Sequence, residues 1–374
     1  MSAVPAQETS AVNKVYLQEI SNLHDMRQTI ILLAVIVAVS CSSGNGKKGA
    51  TNNVFEVKDI CSLPMIGEIS TVELDDACPI SSIQKLELVD SLFYIASPEG
   101  LYCFNLKGEF KNEISCRGRA DNEWVRMNTF YVDEESLEIS IIDGASRKML
   151  VYKLSGDYVT SLRLPESSPT EINDAEKTID GSVVLSANVI GRNRTVLYSL
   201  NSDCSELNPI FDVAFRTEGV SIPTGFSPIC RNRGRVKAIL PFEDNVFEVE
   251  RCSLKESIYI PHDSKELSKS ELSRIKNYSI FCSFEYKTKG YYVGYTSIAE
   301  SDSFVILSYY NNEYMIYDKI RKMYWILTPD PIVEGTKRVG SLYEVLYMDE
   351  GRIISLFRNT ESYNMTLVIY TIKK

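Results

Sequence analysis

Leu92-Phe93-Tyr94-Ile95-Ala96, then Gly100-Leu101-Tyr102-Cys103-Phe104-Asn105-Leu106 running into Lys107-Gly108-Glu109, is the phrase that decides the fold. The two apolar runs are too short for core helices, are rich in aromatic residues, and are split by Ser97-Pro98-Glu99-Gly100. Runs of that kind bounded by turn residues read as β-strands. Ile83 to Leu88 reads as a further strand just upstream. The unit then returns as Thr129-Phe130-Tyr131-Val132, Leu137 to Ile142, and Lys148 to Leu154 before Ser155-Gly156-Asp157. Both copies close on the same phrase, aromatic-x-Leu-x-Gly.

Looser copies follow. Residues 182–186 lead to 195–200, 236–241 to 245–249, 304–308 to 313–318, and 353–357 to 365–370. Counting from Ile83 there are six units at a spacing of roughly 45–55 residues, the period of a propeller blade of about four strands. The reading is an all-β chain, a six-bladed β-propeller of four-stranded blades over residues 54–374. A two-sheet sandwich does not suit six tandem units. Ser70 to Leu74 has no partner nearby in sequence, so it is expected to complete the last blade beside Thr366 to Ile372 and close the ring. Ser264 to Tyr278 is charged, with Leu267, Leu272, Ile275 and Tyr278 on one broad face. It predicts a short helical insertion near 264–278, between the fourth and fifth blades.

Upstream, Ile30 to Cys41 reads I-I-L-L-A-V-I-V-A-V-S-C. Ten apolar residues cannot span a bilayer core, which needs about 20. They fit the core of a secretory signal after Arg27 and before small residues. Ala38-Val39-Ser40-Cys41 resembles a bacterial lipobox, which makes Cys41 the lipidation site. Residues 26–40 then read as the signal and 41–53 as a flexible tether. Residues 1–25 read as a start assigned upstream of Met26. The expected location is the cell envelope, lipid-anchored to the outer membrane and facing the periplasm, with surface exposure as the alternative.

The formal net charge of −10 gives no general attraction to nucleic acid or anionic lipid, so membrane contact is expected only through lipid at Cys41. Of nine cysteines, several sit in apolar runs and read as buried thiols, with one or two disulfides left open. No Cys-x-x-Cys or Cys/His cluster occurs, so neither a metal nor a cofactor is expected.

No nucleophile elbow, phosphate loop or calcium loop is present. His262, beside Pro261 and Asp263, reads as structural or solvated. The one concentrated charge feature is basic: Arg117 and Arg119, Arg192 and Arg194, and Arg231, Arg233 and Arg235 occupy three turns. Guanidinium groups grip carboxylate, sulfate or phosphate bidentately. If these turns converge on the channel, they form an anion-binding mouth for an acidic glycan or peptide. Solvated turn charges paired with Asp and Glu are the plainer alternative. Tyr291, Tyr292, Tyr309, Tyr310 and Trp124 could stack on sugars, although strand alternation favours core packing.

Three stretches carry a family likeness. Ile114 to Trp124 is similar to an "Arg-x-Gly-x-Gly-Pro-Gly-Glu-Tyr" blade connector, with Ala120-Asp121-Asn122 in place of Gly-Pro-Gly. Ile142 to Tyr152 is similar to an "Asp-x-x-x-x-Arg-Ile-x-x-Tyr" strand pair, and Pro241 to Val249 to a "Pro-Tyr-x-Asp-x-Ile-Tyr-x-Ile" phrase. With the lipid signal, the chain resembles the six-bladed β-propeller lipoproteins of Bacteroidota, relatives of NHL- and TolB-like propellers. The resemblance implies fold and location and supplies no reaction. The expected role is a non-catalytic envelope protein that binds a ligand or an envelope protein partner. The alternatives are an envelope enzyme acting on polysaccharide, of hydrolase or lyase type, and a structural subunit of an outer-membrane assembly.

Overall fold

The apolar runs of the repeat become the second and third strands of each sheet, because both faces of those strands are covered by neighbouring sheets. In the computed structural model the described residues are 54–78, 80–115, 117–188, 194–214, 227–275, 286–309, 313–328, 344–358 and 365–373. The expected signal and tether, the expected lipidation site Cys41, and Arg192, Tyr278 and Tyr310 lie outside them.

Six four-stranded antiparallel sheets follow in chain order. Blade I holds β3 (Lys85–Val89), β4 (Leu92–Ala96), β5 (Leu101–Asn105) and β6 (Phe110–Ser115). Blade II holds β7 (Thr129–Asp133), β8 (Glu138–Asp143), β9 (Lys148–Lys153) and β10 (Tyr158–Arg163). Blade III holds β11 (Ile172–Lys177), β12 (Val183–Ala187), β13 (Thr195–Leu200) and β14 (Leu207–Asp212). Blade IV holds β15 (Ile229–Asn232), β16 (Arg235–Ile239), β17 (Asn245–Glu250) and β18 (Ser253–Tyr259). Blade V holds β19 (Ser297–Glu300), β20 (Phe304–Tyr309), β21 (Glu313–Asp318) and β22 (Met323–Leu327). Blade VI holds β23 (Glu344–Met348), β24 (Arg352–Arg358) and β25 (Met365–Ile372), with β2 (Ile66–Glu73) as its fourth strand.

The first strands β3, β7, β11, β15, β19 and β23 stand side by side around the axis and close on themselves. Closure is by β2, which pairs antiparallel with β25 in a register that sets Ser70 against Ile369 and Val72 against Leu367. The expectation for Ser70 to Leu74 is met. A strand the repeat did not announce, β1 (Val54–Val57), adds in parallel to β22 on the outer edge of blade V. The chain thus adds an outer strand to blade V and then completes blade VI.

Apolar clusters fill the joints between sheets rather than one central core. Phe93, Ile95 and Phe104 of blade I meet Ile354, Leu356 and Leu367 of blade VI across the closing joint. Val184 and Leu197 of blade III meet Val236 and Ala238 of blade IV in the same way. Each such side chain is worth about 1.5–3 kcal/mol when fully buried. Gly108 of the repeated closing phrase has φ +82°, and a Cβ there would lie 2.0 Å from the Glu73 carbonyl oxygen. Glycine is required at that contact between blades VI and I, where Asp75 N–H donates to the Gly108 carbonyl at 2.8 Å.

The helical insertion is shorter than its pattern suggests. Among its described residues, 264–275, the helix is α1 (Lys269–Leu272), with Ser268 and Glu271 as a reciprocal capping box; Tyr278 lies outside the described residues. Beyond it, Arg274 and Ile275 donate three residues back, to Glu271 and Leu272, so the chain tightens instead of extending the helix. Leu267, Leu272 and Ile275 nonetheless cover Leu240 and Phe247 of blade IV, as the apolar face implied. No disulfide joins the described cysteines Cys61, Cys78, Cys103, Cys204, Cys230 and Cys252 to one another.

Candidate functional site

Antiparallel pairing fixes where each turn emerges. Turns from first to second and from third to fourth strands share one face of the disc, here the hairpin face. Turns from second to third strands share the other, the connector face, with the links between blades. Arg231, Arg233 and Arg235 surround the first hairpin of blade IV, on the hairpin face. Arg194 follows the β12–β13 turn, and Arg117 and Arg119 sit in the link from blade I to blade II, both on the connector face. The three turns therefore do not converge on one mouth.

Three of the guanidinium groups are paired with carboxylates of the protein itself. Arg231 Nη2 donates to the Val132 carbonyl at 2.8 Å and meets Glu134 at 3.2 Å, while its Nε lies 3.6 Å from Glu176. Arg233 pairs with Asp302, and Arg235 lies 3.7 Å from Glu248. Arg117 Nε donates to the Val125 carbonyl at 3.2 Å. Arg119 is exposed, and Arg194 is half-buried, its carbonyl accepting from Val213. The plainer alternative, turn arginines paired within the protein, fits Arg231, Arg233 and Arg235.

What the blades do bring together is the channel wall. A cavity of about 620 Å³ runs along the axis and opens on the hairpin face. Among its described lining residues ten are Asp or Glu and four are Lys or Arg, so the mouth is acidic. That polarity is the reverse of an anion site.

Two buried charge groups build the wall. In the first, Lys85 on β3 reaches Asp174 at 2.8 Å and Glu176 at 2.6 Å on β11, with Glu87 at 3.5 Å. Lys85 also donates to the Ala175 carbonyl at 3.1 Å. Burial works to discharge this lysine, yet the charges of Asp174, Glu176 and Glu87 hold its ammonium well above the ordinary lysine value. Burial and then the Glu176 charge push the Glu87 carboxyl up to about 7, against the pull of Lys85 and Arg231. Three buried carboxylates share two cations here, so one carboxyl retains a proton near neutrality.

In the second group, Glu300 on β19 takes Lys237 of β16 at 2.6 Å and also Lys319 from the β21–β22 turn. Burial pushes the Lys319 ammonium down, against its hydrogen bond to Glu300. Cys230 lies between the two groups. Burial, then the charges of Glu300 and Glu176, push its thiol well above the ordinary value. It is a packed thiol, not a nucleophile.

The hairpins around the mouth are bonded to one another. Ile179 N–H donates to the Gly234 carbonyl at 2.8 Å, Asn232 Nδ2 donates to Asp302 at 3.1 Å, and Asp302 N–H donates to Glu350. Four aliphatic side chains point outward from hairpin-face turns: Leu106, Leu137, Ile179 and Ile320. Ile179, which also lines the channel, is 80% exposed. By contrast Trp124, Tyr292 and Tyr309 are buried, as strand alternation indicated.

Comparison with known proteins places the chain in a family and a fold. A family profile described as a domain of unknown function, DUF4934, matches residues 65–366. No curated protein matches the chain. A crystal structure of a candidate exported protein from Bacteroides fragilis superimposes with a TM-score of 0.63 at 17% identity, over 86% of this chain and 99% of that one. A member of the DUF4221 family from Bacteroides vulgatus superimposes with a TM-score of 0.55 at 12% identity, over 82% and 97%. At these identities the likeness is one of fold.

Proposed function

The chain belongs to the DUF4934 family of unknown function, and on that footing we propose that it is an exported envelope protein that docks a basic partner protein, without catalysis, on its hairpin face. The observation that carries this reading is the acidic channel mouth with exposed Ile179 at its rim, on hairpins bonded to one another. Acidic groups steer and select a cationic partner, and solvent-facing aliphatic tips supply the apolar contact. A cavity of this size also admits an inserted side chain. Export is supported by the lipobox at Cys41 and by the description of the Bacteroides fragilis relative. Lipid then holds the domain at the outer membrane.

Two experiments test this. The full-length chain is titrated with a lysine-rich and a glutamate-rich peptide of equal length. The lysine-rich peptide should bind, weaken with added salt, and weaken again in a Glu134→Gln, Glu135→Gln double variant and in Ile179→Asp. Preference for the glutamate-rich peptide would overturn the reading. Palmitate labelling of intact cells should mark the wild type and not Cys41→Ser. Equal labelling of both would remove the anchor.

A second reading has one observation in its favour. Glu87, held up to about 7 beside ionised neighbours, has the protonation range of a general acid, as a polysaccharide hydrolase or lyase would use. Turnover of an envelope glycan that Glu87→Gln abolishes would establish it over docking.

A further inference from the structure

On the connector face, the chain leaves β18 and returns to blade V through a long link pinned to blade IV. Ile260 N–H donates to the Asp244 carbonyl at 2.7 Å, Lys265 N–H to Gly290 at 2.8 Å, and Tyr292 N–H to Lys265 at 2.8 Å. These bonds hold three possible metal ligands together: Asp244 in the β16–β17 turn, and His262 and Glu266 in the link. One donor atom from each lies within 4.8 Å of the other two.

His262 is not a solvated surface group. Its ring stacks on Tyr292 with centroids 3.9 Å apart and planes 9° from parallel. Both of its ring nitrogens are closed off from solvent and have no hydrogen-bond partner, although two carboxylates stand at hand. The Tyr292 side chain, also buried, has an enclosed hydroxyl without a partner. Buried polar atoms in folded proteins are nearly always satisfied, and an ion or its water is a standard reason for an exception. Asp244 accepts from Asn245 Nδ2 at 2.9 Å through one oxygen. Such a bond orients a carboxylate and leaves its other oxygen for a ligand.

We propose that Asp244, His262 and Glu266 form a divalent metal site of the zinc type on the connector face. One imidazole nitrogen with two carboxylate oxygens suits a borderline cation, and two negative charges offset its two positive ones. Calcium would ask for six to eight oxygens, which this set does not offer. A tetrahedral ion with bonds of about 2.0–2.2 Å holds its ligand atoms about 3.3–3.6 Å apart, so donors within 4.8 Å of one another need draw in by no more than about 1.2–1.5 Å. The fourth position is left for water. Bound metal ties the link to blade IV and fixes the face opposite the docking mouth.

The test uses the full-length chain stripped with EDTA and titrated with Zn²⁺ by calorimetry, with Co²⁺ absorption as a second signal. One ion per chain is expected, with a Co²⁺ spectrum free of a thiolate charge-transfer band and an affinity that falls as the pH is lowered. Glu266→Gln, at an exposed position, should weaken binding at least tenfold without changing the melting temperature of the metal-free protein. His262→Phe keeps the aromatic stack and should abolish binding. No uptake at submillimolar Zn²⁺, equal affinity in Glu266→Gln, a thiolate band, or a preference for Ca²⁺ would each overturn the site.

Discussion

The two charge groups of the channel wall invert one another. Around Lys85 and Arg231, three carboxylates share two cations, whereas around Glu300 two ammonium groups share one carboxylate. Each carries a surplus charge, and each disposes of it differently. The acidic group keeps a proton, so Glu87 is held high. The basic group has Lys319 with 19% of its side chain in solvent, and the surplus is relieved there, where burial already holds the ammonium down. Buried pairs are weak evidence of stability as units, because desolvation offsets attraction, but stranding one partner is costly. The two groups should therefore fail with opposite pH dependence.

Lys85→Met should be the most damaging change. It leaves Asp174, Glu176 and Glu87 with Arg231 alone, and removing one partner of a buried pair costs about 3–5 kcal/mol. Urea unfolding at pH 8 measures the loss, which should shrink towards pH 5 as the stranded carboxyls take up protons. A loss that does not shrink there would break the account of the acidic group. Glu300→Gln should cost less, about 2–3 kcal/mol, because Lys319 reaches solvent. Its loss should shrink in the other direction, as rising pH discharges the stranded Lys319, whose ammonium burial already holds down.

Glu87→Gln sharpens the comparison from within the acidic group. The folded carboxyl titrates at about 7, above the ordinary glutamate value of 4.5. Over that window the folded state binds more protons than the unfolded one. The group's contribution is therefore complete below about 4.5 and is lost as pH rises through about 7. The variant should match the wild type near pH 4.5 and exceed it at pH 8, by on the order of 2 kcal/mol. Parallel stability–pH curves would show that Glu87 does not hold the surplus proton.

The same strands explain what could be read beforehand. Middle strands such as β12, Val-Val-Leu-Ser-Ala, are buried on both faces and so stand out as apolar runs. They disclosed the repeat, the blade number and the partner of β2. The first strands of the later blades did not stand out. Ile172-Asn173-Asp174-Ala175-Glu176-Lys177 and Ser297-Ile298-Ala299-Glu300 turn charges to the channel and resemble turns by composition. Lys85, Asp174, Glu176 and Glu300 were missed because the polarity that makes them a site hides the strand. The usable signal was positional: charge recurring just upstream of each apolar pair, with Lys85 and Glu87 two apart on β3 and Asp174 and Glu176 two apart on β11. The arginine clusters misled for a related reason. Proximity to a turn says nothing about which face that turn occupies until strand order is fixed. Within the described part of the insertion the helix covers Lys269–Leu272, because i, i+5, i+8 spacing marks a covered face without requiring continuous helix.

The smallest effect separates two arginines of a single turn. Arg231 and Arg233 both line the channel, but their side chains are 16% and 74% exposed. Arg233 pairs with Asp302 near solvent, and Asp302 also accepts from Asn232 Nδ2 at 3.1 Å, so it is not stranded when the guanidinium goes. Exposed pairs of this kind are worth about 0–1 kcal/mol. Arg233→Ala should thus shift stability by no more than about 0.5 kcal/mol, and less still in high salt, where screening erases what remains. Arg231→Ala removes the second cation from Glu176 and the donor to the Val132 carbonyl, both inside the wall. Its loss should exceed that of Arg233→Ala by about 1 kcal/mol or more. Urea unfolding of both variants at two salt concentrations decides the matter. Equal losses would mean that the charge groups end below the mouth, and that the hairpin turn carries no part of them.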